Sequence, residues 1–397
     1  MMTGASFDYV IVGGGLQGCL LVHALAHHRP DARVLVIERA PELCGNHTWS
    51  FHETDVPPDA WAWLGPLVAF RWPAYRVAFP GMVRRVELGY ATVTSDGLRE
   101  ATMPLATGER RPHDGGRCVF RLGEACEILS PTQVRLGDAT VFESTAVIDC
   151  RGRAGSPAKP AGAGFQAFLG CEYQLTEPWP AAEPTVMDVP KDQADGFEFL
   201  YELPFGPHRV LLEYTRFSEA ASCDEERAER LISARLSEAG VGSPQLVRRE
   251  QGCLPMPYAA PDVQSDRVVA GGYAGGWFHA ATGYSMPLAI RFAELVASSQ
   301  PHDLAAAVEA AASQDAARRG FSRFLNRLLF CLVKPQDRWK IFRRFYSVLR
   351  EDRIARFYSH RFTVADAARI VIGKPPTGLA PLRFAQSFAP LAKPVLP

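Results

Sequence analysis

Gly13, Gly15 and Gly18 follow one another as G-x-G-x-x-G, and Glu38 stands twenty residues after the last of them. Glycines at that spacing can cradle a pyrophosphate. The first permits a tight turn, the second lets the backbone approach the phosphates, and the third lets a helix pack closely on a strand. A carboxylate at that distance accepts hydrogen bonds from an adenosine ribose and disfavours a 2′-phosphate. A second acidic position, Glu213, lies in Leu211-Leu212-Glu213-Tyr214-Thr215. If that strand is buried, its carboxyl group keeps a proton at neutral pH and can act as an acid. If the strand is half exposed, Glu213 is a surface glutamate, and the residues alone leave both readings open.

The elements that must position these groups are legible around them. Phe7–Val12 is a short apolar and aromatic run suited to a buried parallel strand. The segment from about Leu16 to His28 reads as a helix whose N-terminal amides would face phosphate, and Arg33–Ile37 reads as the second strand. Strand, helix and carboxylate together favour dinucleotide binding over a merely structural turn. FAD is expected rather than NAD, because a fingerprint at the start of a 397-residue chain is the habit of flavoproteins. Further on, Glu42–His52 reads as a polar loop and Tyr90–Ser95 as a strand, with Ser95 capping a short helix. Cys118–Arg121, Gln133–Leu136 and Thr140–Phe142 form a small meander, and Ala146–Asp149 returns as a buried strand. Phe165–Leu175, Phe197–Leu203 and Val210–Phe217 are strands, the last two joined by a turn at Phe205-Gly206-Pro207-His208, with a helix near Asp224–Ala239. Val268–Ala270 leads through a second glycine-rich loop into a helix from about Ser285 or Pro287, which offers further amides to a cofactor.

Composition sets the outer bounds. Forty-seven per cent hydrophobic and 22 per cent charged residues exclude a disordered chain and a multi-span membrane protein. Lysine plus arginine and aspartate plus glutamate number 43 each, and no recognition motif supports nucleic-acid binding. That neutrality conceals polarity: from Arg318 onward there are 17 Lys/Arg against 4 Asp/Glu, so the first 317 residues carry 26 against 39. The basic stretch mixes Phe, Leu and Trp with Arg and Lys at helical spacing. Such helices either lie on an anionic membrane surface or pack on the acidic body. Nine scattered cysteines show no zinc spacing and suit reduced thiols, and no metal site is expected. No basic run precedes the first apolar segment, so no signal peptide is expected. The one uncharged twenty-residue stretch, Tyr9–His28, contains the glycine turn and does not read as a transmembrane helix.

Four segments, Gly45-Asn-His-Thr-Trp-Ser-Phe-His52, Leu211-Leu-Glu-Tyr-Thr215, Glu250-Gln-Gly-Cys-Leu-Pro-Met-Pro-Tyr258 and His279-Ala-Ala-Thr-Gly-Tyr-Ser-Met-Pro287, resemble the bacterial lycopene β-cyclases. With the fingerprint, the similarity spans residues 7–300 and, less specifically, the basic C-terminal helices. Two departures stand out. Ala280 and Ala281 replace a Pro-Thr pair in the family's late loop, and Gly271-Gly272 stands where related flavin hydroxylases carry Gly-Asp. The second departure removes a carboxylate and weakens a hydroxylase reading.

The resemblance implies an α/β fold, in detail an α+β mixture. It comprises a Rossmann-type FAD-binding domain of the glutathione-reductase/hydroxylase-like kind, a β-rich substrate domain and C-terminal helices. The FAD-binding part is expected over 1–75, 90–163 and 264–300, the substrate part over 76–89 and 164–263, and the basic helical region over 301–397. The implied reaction is redox-neutral cyclisation of lycopene, with FAD held reduced and NAD(P)H as reductant. Glu213 matches the family's essential acid. His47 and Gly283 are expected beside the cofactor, with Gly13, Gly15, Gly18 and Glu38 holding its other end. Trp49, Glu202, Tyr214, Trp277, Phe278 and Tyr284 are candidates for the substrate pocket, and Glu202 or Glu198 for a neighbour that perturbs Glu213. A peripheral protein on the cytoplasmic face of the membrane follows from so apolar a substrate. An aromatic-substrate flavin monooxygenase and a non-catalytic carotenoid-binding flavoprotein are the alternatives.

Overall fold

The computed structural model describes residues 7–106, 118–152, 162–193, 196–259, 268–373 and 378–387. Phe7–Val12 is buried at nearly every position because it is central. It pairs in parallel with Val34–Glu38 on one side and with Val141–Asp149 on the other. Cys118–Leu122 extends the parallel sheet beyond Val34–Glu38, and Val269–Ala270 adds to the far end of Val141–Asp149. Gln133–Leu136 and Cys126–Ser130 complete seven strands as an antiparallel meander. One face is covered by the helices Leu16–His28 and Met286–Ser298, whose Leu20, Leu21, Ile290 and Phe292 share a core with Ile11 and Val36.

Three local expectations are corrected. The stretches expected as separate strands, Thr140–Phe142 and Ala146–Asp149, are one strand. Polar Glu143, Ser144 and Thr145 lie where its partner changes, from antiparallel Gln133–Leu136 to parallel Phe7–Val12. The polar loop expected over Glu42–His52 ends in a strand, Thr48–His52, antiparallel to Tyr90–Thr94, which also pairs with Phe70–Trp72. Its polarity misleads because its residues face a cavity as well as a core. The helix Ser95–Thr102 is capped by Thr94, whose hydroxyl accepts the Gly97 amide at 3.1 Å, one residue before the expected cap.

The second large sheet runs Gln245–Pro257, Ala163–Gln174, Arg209–Ser218, Phe197–Pro204, Thr185–Asp188, Tyr75–Phe79, Met82–Val86. One face packs Leu169, Leu200, Leu212 and Tyr214 against Ile232 and Leu236 of the helix Glu225–Glu238. The other face carries Val77, Phe199, Leu211 and Phe217 toward C-terminal helices, including Trp339–Val348 and Glu351–Tyr358. Those helices are fastened by Arg338, which is fully buried. Its guanidinium donates to the carbonyls of Leu329 at 3.1 Å and Phe330 at 3.2 Å, and to Glu219 at 2.6 Å. Removing it leaves buried carbonyls and a carboxylate without their donor. Arg338→Leu is therefore expected to cost about 3 kcal/mol, read as a lowered urea midpoint of the full chain.

Candidate active site

The nucleotide end is built by close contact. Gly13 has φ +109°, and a Cβ there would lie 2.7 Å from the Cys150 carbonyl carbon. A Cβ on Gly18 would lie 2.1 Å from the Gly13 carbonyl oxygen, so only glycine lets this helix approach its strand. Gly15 is different: a Cβ there meets nothing within 4 Å, and no side chain caps the helix that starts after it. Open space in front of an uncapped helix N-terminus fits a pyrophosphate. Glu38 accepts the amides of Gly14 at 2.7 Å and Ala40 at 2.8 Å, which fixes its carboxylate beside that space with lone pairs left for ribose hydroxyls. Gln17 ties the late loop to the same place, donating to the Ala289 carbonyl at 3.1 Å and accepting the Gly272 amide at 3.3 Å. These residues fit FAD.

A cavity opens between the second large sheet, the three-stranded sheet, the loop 282–286 and the C-terminal helices. His47, Trp49, Tyr284, Gly283 and Glu213 all line it. Gly283 has φ +70°, and a Cβ there would press 2.8 Å from Gln166 Oε1, so the loop can pass the sheet only without a side chain. The His47 ring lies 5.2 Å from that of Trp49 and 5.4 Å from that of Phe168, and burial pushes its pKa below the usual histidine range. Tyr284 donates to Asp55 at 2.7 Å and accepts the His52 amide at 2.8 Å.

Glu213 points from the Arg209–Ser218 strand into this cavity, half-buried, with its Oε1 accepting the Thr215 hydroxyl at 2.8 Å. Loss of water and then the nearby Glu250 carboxylate push its pKa up to about 8, against smaller opposing effects of Thr215 and Arg248. The group is an acid that stays loaded at neutral pH. Cavity walls of Phe168, Phe199, Phe217, Leu211 and Leu254 surround it with little competition from water.

Strand alternation sends some expected pocket residues elsewhere. Tyr214, the next residue along, lies on the opposite face, buried against the helix and donating to Glu198 at 2.8 Å. Glu202 is likewise on that far face, held by Arg235 at 2.5 and 3.1 Å, so neither it nor Glu198 is the neighbour of Glu213. Trp277 packs in the nucleotide-side core, 4.8 Å from Phe292, and Phe278 stacks on Tyr273 at 4.3 Å; neither lines the cavity. The residues not foreseen are the wall tyrosines Tyr75, Tyr90, Tyr201, Tyr346 and Tyr358. Tyr346 lies one helical turn from Phe342, a spacing present in the sequence but read there only as a helix face meeting a membrane or the acidic body. Among the described residues no group of three or more His, Cys, Asp or Glu could hold a metal ion.

An N-terminal glycine cradle on a parallel sheet, backed by a β-rich layer, defines a Rossmann-type FAD-binding fold. A probable FAD-dependent monooxygenase from Pseudomonas aeruginosa shares it with a TM-score of 0.60 at 19% identity, over 86% of this chain and 100% of that one. The family model described as lycopene cyclase protein matches residues 8–384. Lycopene beta-cyclase of Pseudescherichia vulneris is 37% identical over 94% of this chain and 95% of its own length. That of Pantoea ananas is 36% identical over 93% and 95%. The chain belongs to the lycopene cyclase family.

Gly15→Val tests the cradle, since its side chain would occupy the space left for phosphate. The variant is expected to purify folded by circular dichroism but with its flavin absorbance reduced at least about tenfold.

Proposed function

We propose that this chain is a lycopene β-cyclase that closes the acyclic ψ ends of lycopene into β-ionone rings, yielding β-carotene by way of γ-carotene. The observation that carries the reading is Glu213, a carboxyl group protonated up to about pH 8 on the wall of an aromatic cavity, in a chain of this family. Glu213 gives its proton to the terminal carbon–carbon double bond, leaving a tertiary carbocation. The neighbouring double bond attacks that centre and the ring bond forms. A proton then leaves the ring, and its C–H electron pair becomes the new double bond. One proton enters and one departs, no electrons are transferred, and the product is an isomer. Phe168, Phe199 and Phe217 exclude water from the cation, while the faces of Trp49, Tyr201 and Tyr284 favour positive charge.

Gly13, Gly15, Gly18 and Glu38 would hold FAD by its pyrophosphate and ribose, with His47 and Gly283 between that cradle and the cavity. Reduced FAD, brought to that state beforehand by NAD(P)H, would supply negative charge that favours a cationic transition state without being oxidised in the cycle. Gly271-Gly272, lacking the carboxylate of hydroxylases, supports a non-redox use of the cofactor.

Expression in a lycopene-accumulating host, followed by pigment chromatography, tests the assignment. A cyclic isomer of unchanged mass is expected; a hydroxylated product, or bound pigment without turnover, would overturn it. Glu213→Gln is expected to lower ring formation by at least about a thousandfold with flavin content unchanged. The pH profile follows the same group. Glu213 acts only while protonated, so the rate is level below pH 7 and falls about tenfold per unit above the raised pKa of about 8. A carboxyl group with its ordinary pKa would have lost activity from about pH 4.5 upward.

The reading extends to a peripheral position on the cytoplasmic face of the membrane, since lycopene dissolves in the bilayer. Among the described residues no helix is long and apolar enough to cross a membrane. Support comes from the helix Val364–Val371, where Val364 is 88% exposed, and from Ile372 just after it, 67% exposed. Exposed Arg369 stands on that helix, and Arg344 donates to the Ile372 carbonyl at 2.5 Å. Apolar side chains flanked by arginines suit an anionic surface. The double variant Val364→Asp/Ile372→Asp is expected to weaken flotation with phosphatidylglycerol vesicles at least about tenfold while keeping turnover of detergent-dispersed lycopene.

A further inference from the structure

Glu213, Gly170 and Glu250 form one cross-strand row. Glu213 pairs with Gly170, and Gly170 pairs with Glu250 on its other side. Two carboxyl groups two strands apart would normally be separated by the side chain between them. Here the middle position has none, and Glu250 leans over it: a Cβ on Gly170 would lie 2.9 Å from Glu250 Cγ and 3.2 Å from its Oε1. Glu250 is 2% exposed, and its Oε1 finds no hydrogen-bond partner among the described residues. Its other oxygen is held, by an ion pair with Arg248 and by the Thr48 hydroxyl at 3.3 Å. Arg248 is itself shared with Glu172 at 2.9 Å and Asn46 at 2.9 Å. The guanidinium thus anchors Glu250 from behind and leaves its free oxygen over the glycine, toward Glu213.

Among the described residues, these charged and titratable groups stand around Glu213, besides His52 and the other tyrosines of the cavity wall. Tyr201 stands opposite on the neighbouring strand, Glu250 and Arg248 lie beyond Gly170, His47 just before the strand Thr48–His52 stands near Glu250, and Cys223 lies farther off. Glu250 is the only carboxylate among them. We propose that Glu250, reaching across Gly170, is the positioning residue that keeps Glu213 loaded with its proton, and that Gly170 is glycine so that it can. A fixed negative charge beside an acid opposes its ionisation and so retains its proton at the working pH. The same charge lies near the cavity in which positive charge develops and favours the cation there, while its hold on the proton makes Glu213 a somewhat weaker donor. No bond forms or breaks at Glu250 itself.

This inference rests on the cyclase reading, and its test separates the two. The full chain, reduced and supplied with lycopene in detergent, is assayed for ring formation from pH 5 to 9. In Glu250→Gln, which keeps the shape and the Thr48 contact, the alkaline limb of the rate profile is expected to move down by about one pH unit, with near-normal rates at the acid end. Gly170→Ala drives Glu250 off the row and is expected to move the limb the same way by a smaller amount. Infrared titration of the protonated-carboxyl band that Glu213→Gln abolishes gives the shift without turnover, and serves for whichever variant folds. A limb and a band that stay put in the folded variants, even with lowered rates, would overturn the proposal. Absence of ring product from the unaltered chain would overturn the cyclase reading instead.

Discussion

An acid that protonates a hydrocarbon double bond must reach the substrate still carrying its proton, and a bare carboxyl group in water at neutral pH does not. Everything around Glu213 answers that constraint. The group sits on a sheet whose face here is mostly aromatic and aliphatic, with Thr215 and Gln166 among the exceptions, so ionisation would place a charge against poor solvation. The nearest cation, Arg248, is occupied by Glu250 and Glu172 and does not pair with it. The opposing demand is that too strong a hold on the proton would make a poor donor. A pKa near the working pH balances the two.

The nucleotide and substrate layers meet at this acid through contacts far apart in sequence. Asn46 donates to the Arg249 carbonyl at 2.9 Å, and Asn326 donates to those of Pro257 and Ala280. The Tyr284 bond to Asp55 links the late loop to the segment after the Thr48–His52 strand. The loops that would flank a flavin are therefore fastened to the strands that carry the acid, which would hold the cofactor and the proposed proton donor in one frame. The C-terminal region joins the same frame: Phe342, Tyr346 and Tyr358 close the cavity from outside. Its arginines divide between anchoring, as at Arg338, and exposure, as at Arg369. Packing on the body, one of the two alternatives when only charge was counted, is made by Arg338, while the proposed membrane contact would fall to other residues.

Much of the nucleotide end was legible, because its requirements are local. Gly13, Gly15, Gly18 and Glu38 lie within one strand-turn-helix-strand unit, where spacing along the chain is nearly spacing in space. Three of the seven strands of the second sheet, near Phe165–Leu175, Phe197–Leu203 and Val210–Phe217, were legible too, from their apolar and β-branched runs. Their facing was not. Leu211–Phe217 is buried on both sides, so alternation carries no label for inside and outside, and Tyr214 and Glu202 were assigned to the cavity although they face the helix behind the sheet. Trp277 and Phe278 were candidates for the pocket, but their rings pack against Phe292 and Tyr273 instead.

The amino-acid order by itself determined the nucleotide-binding unit, the strand that carries Glu213, the acidic body and the basic end, since each depends on neighbours a few residues apart. Tertiary structure alone decided that Glu250 is the neighbour of Glu213, because that pairing runs across Gly170 between strands 37 residues apart in the chain. It also decided that helices more than a hundred residues later supply cavity walls. The physical reason is common to both: strand register and helix docking are set by how whole faces fit, and no local preference encodes which face meets which.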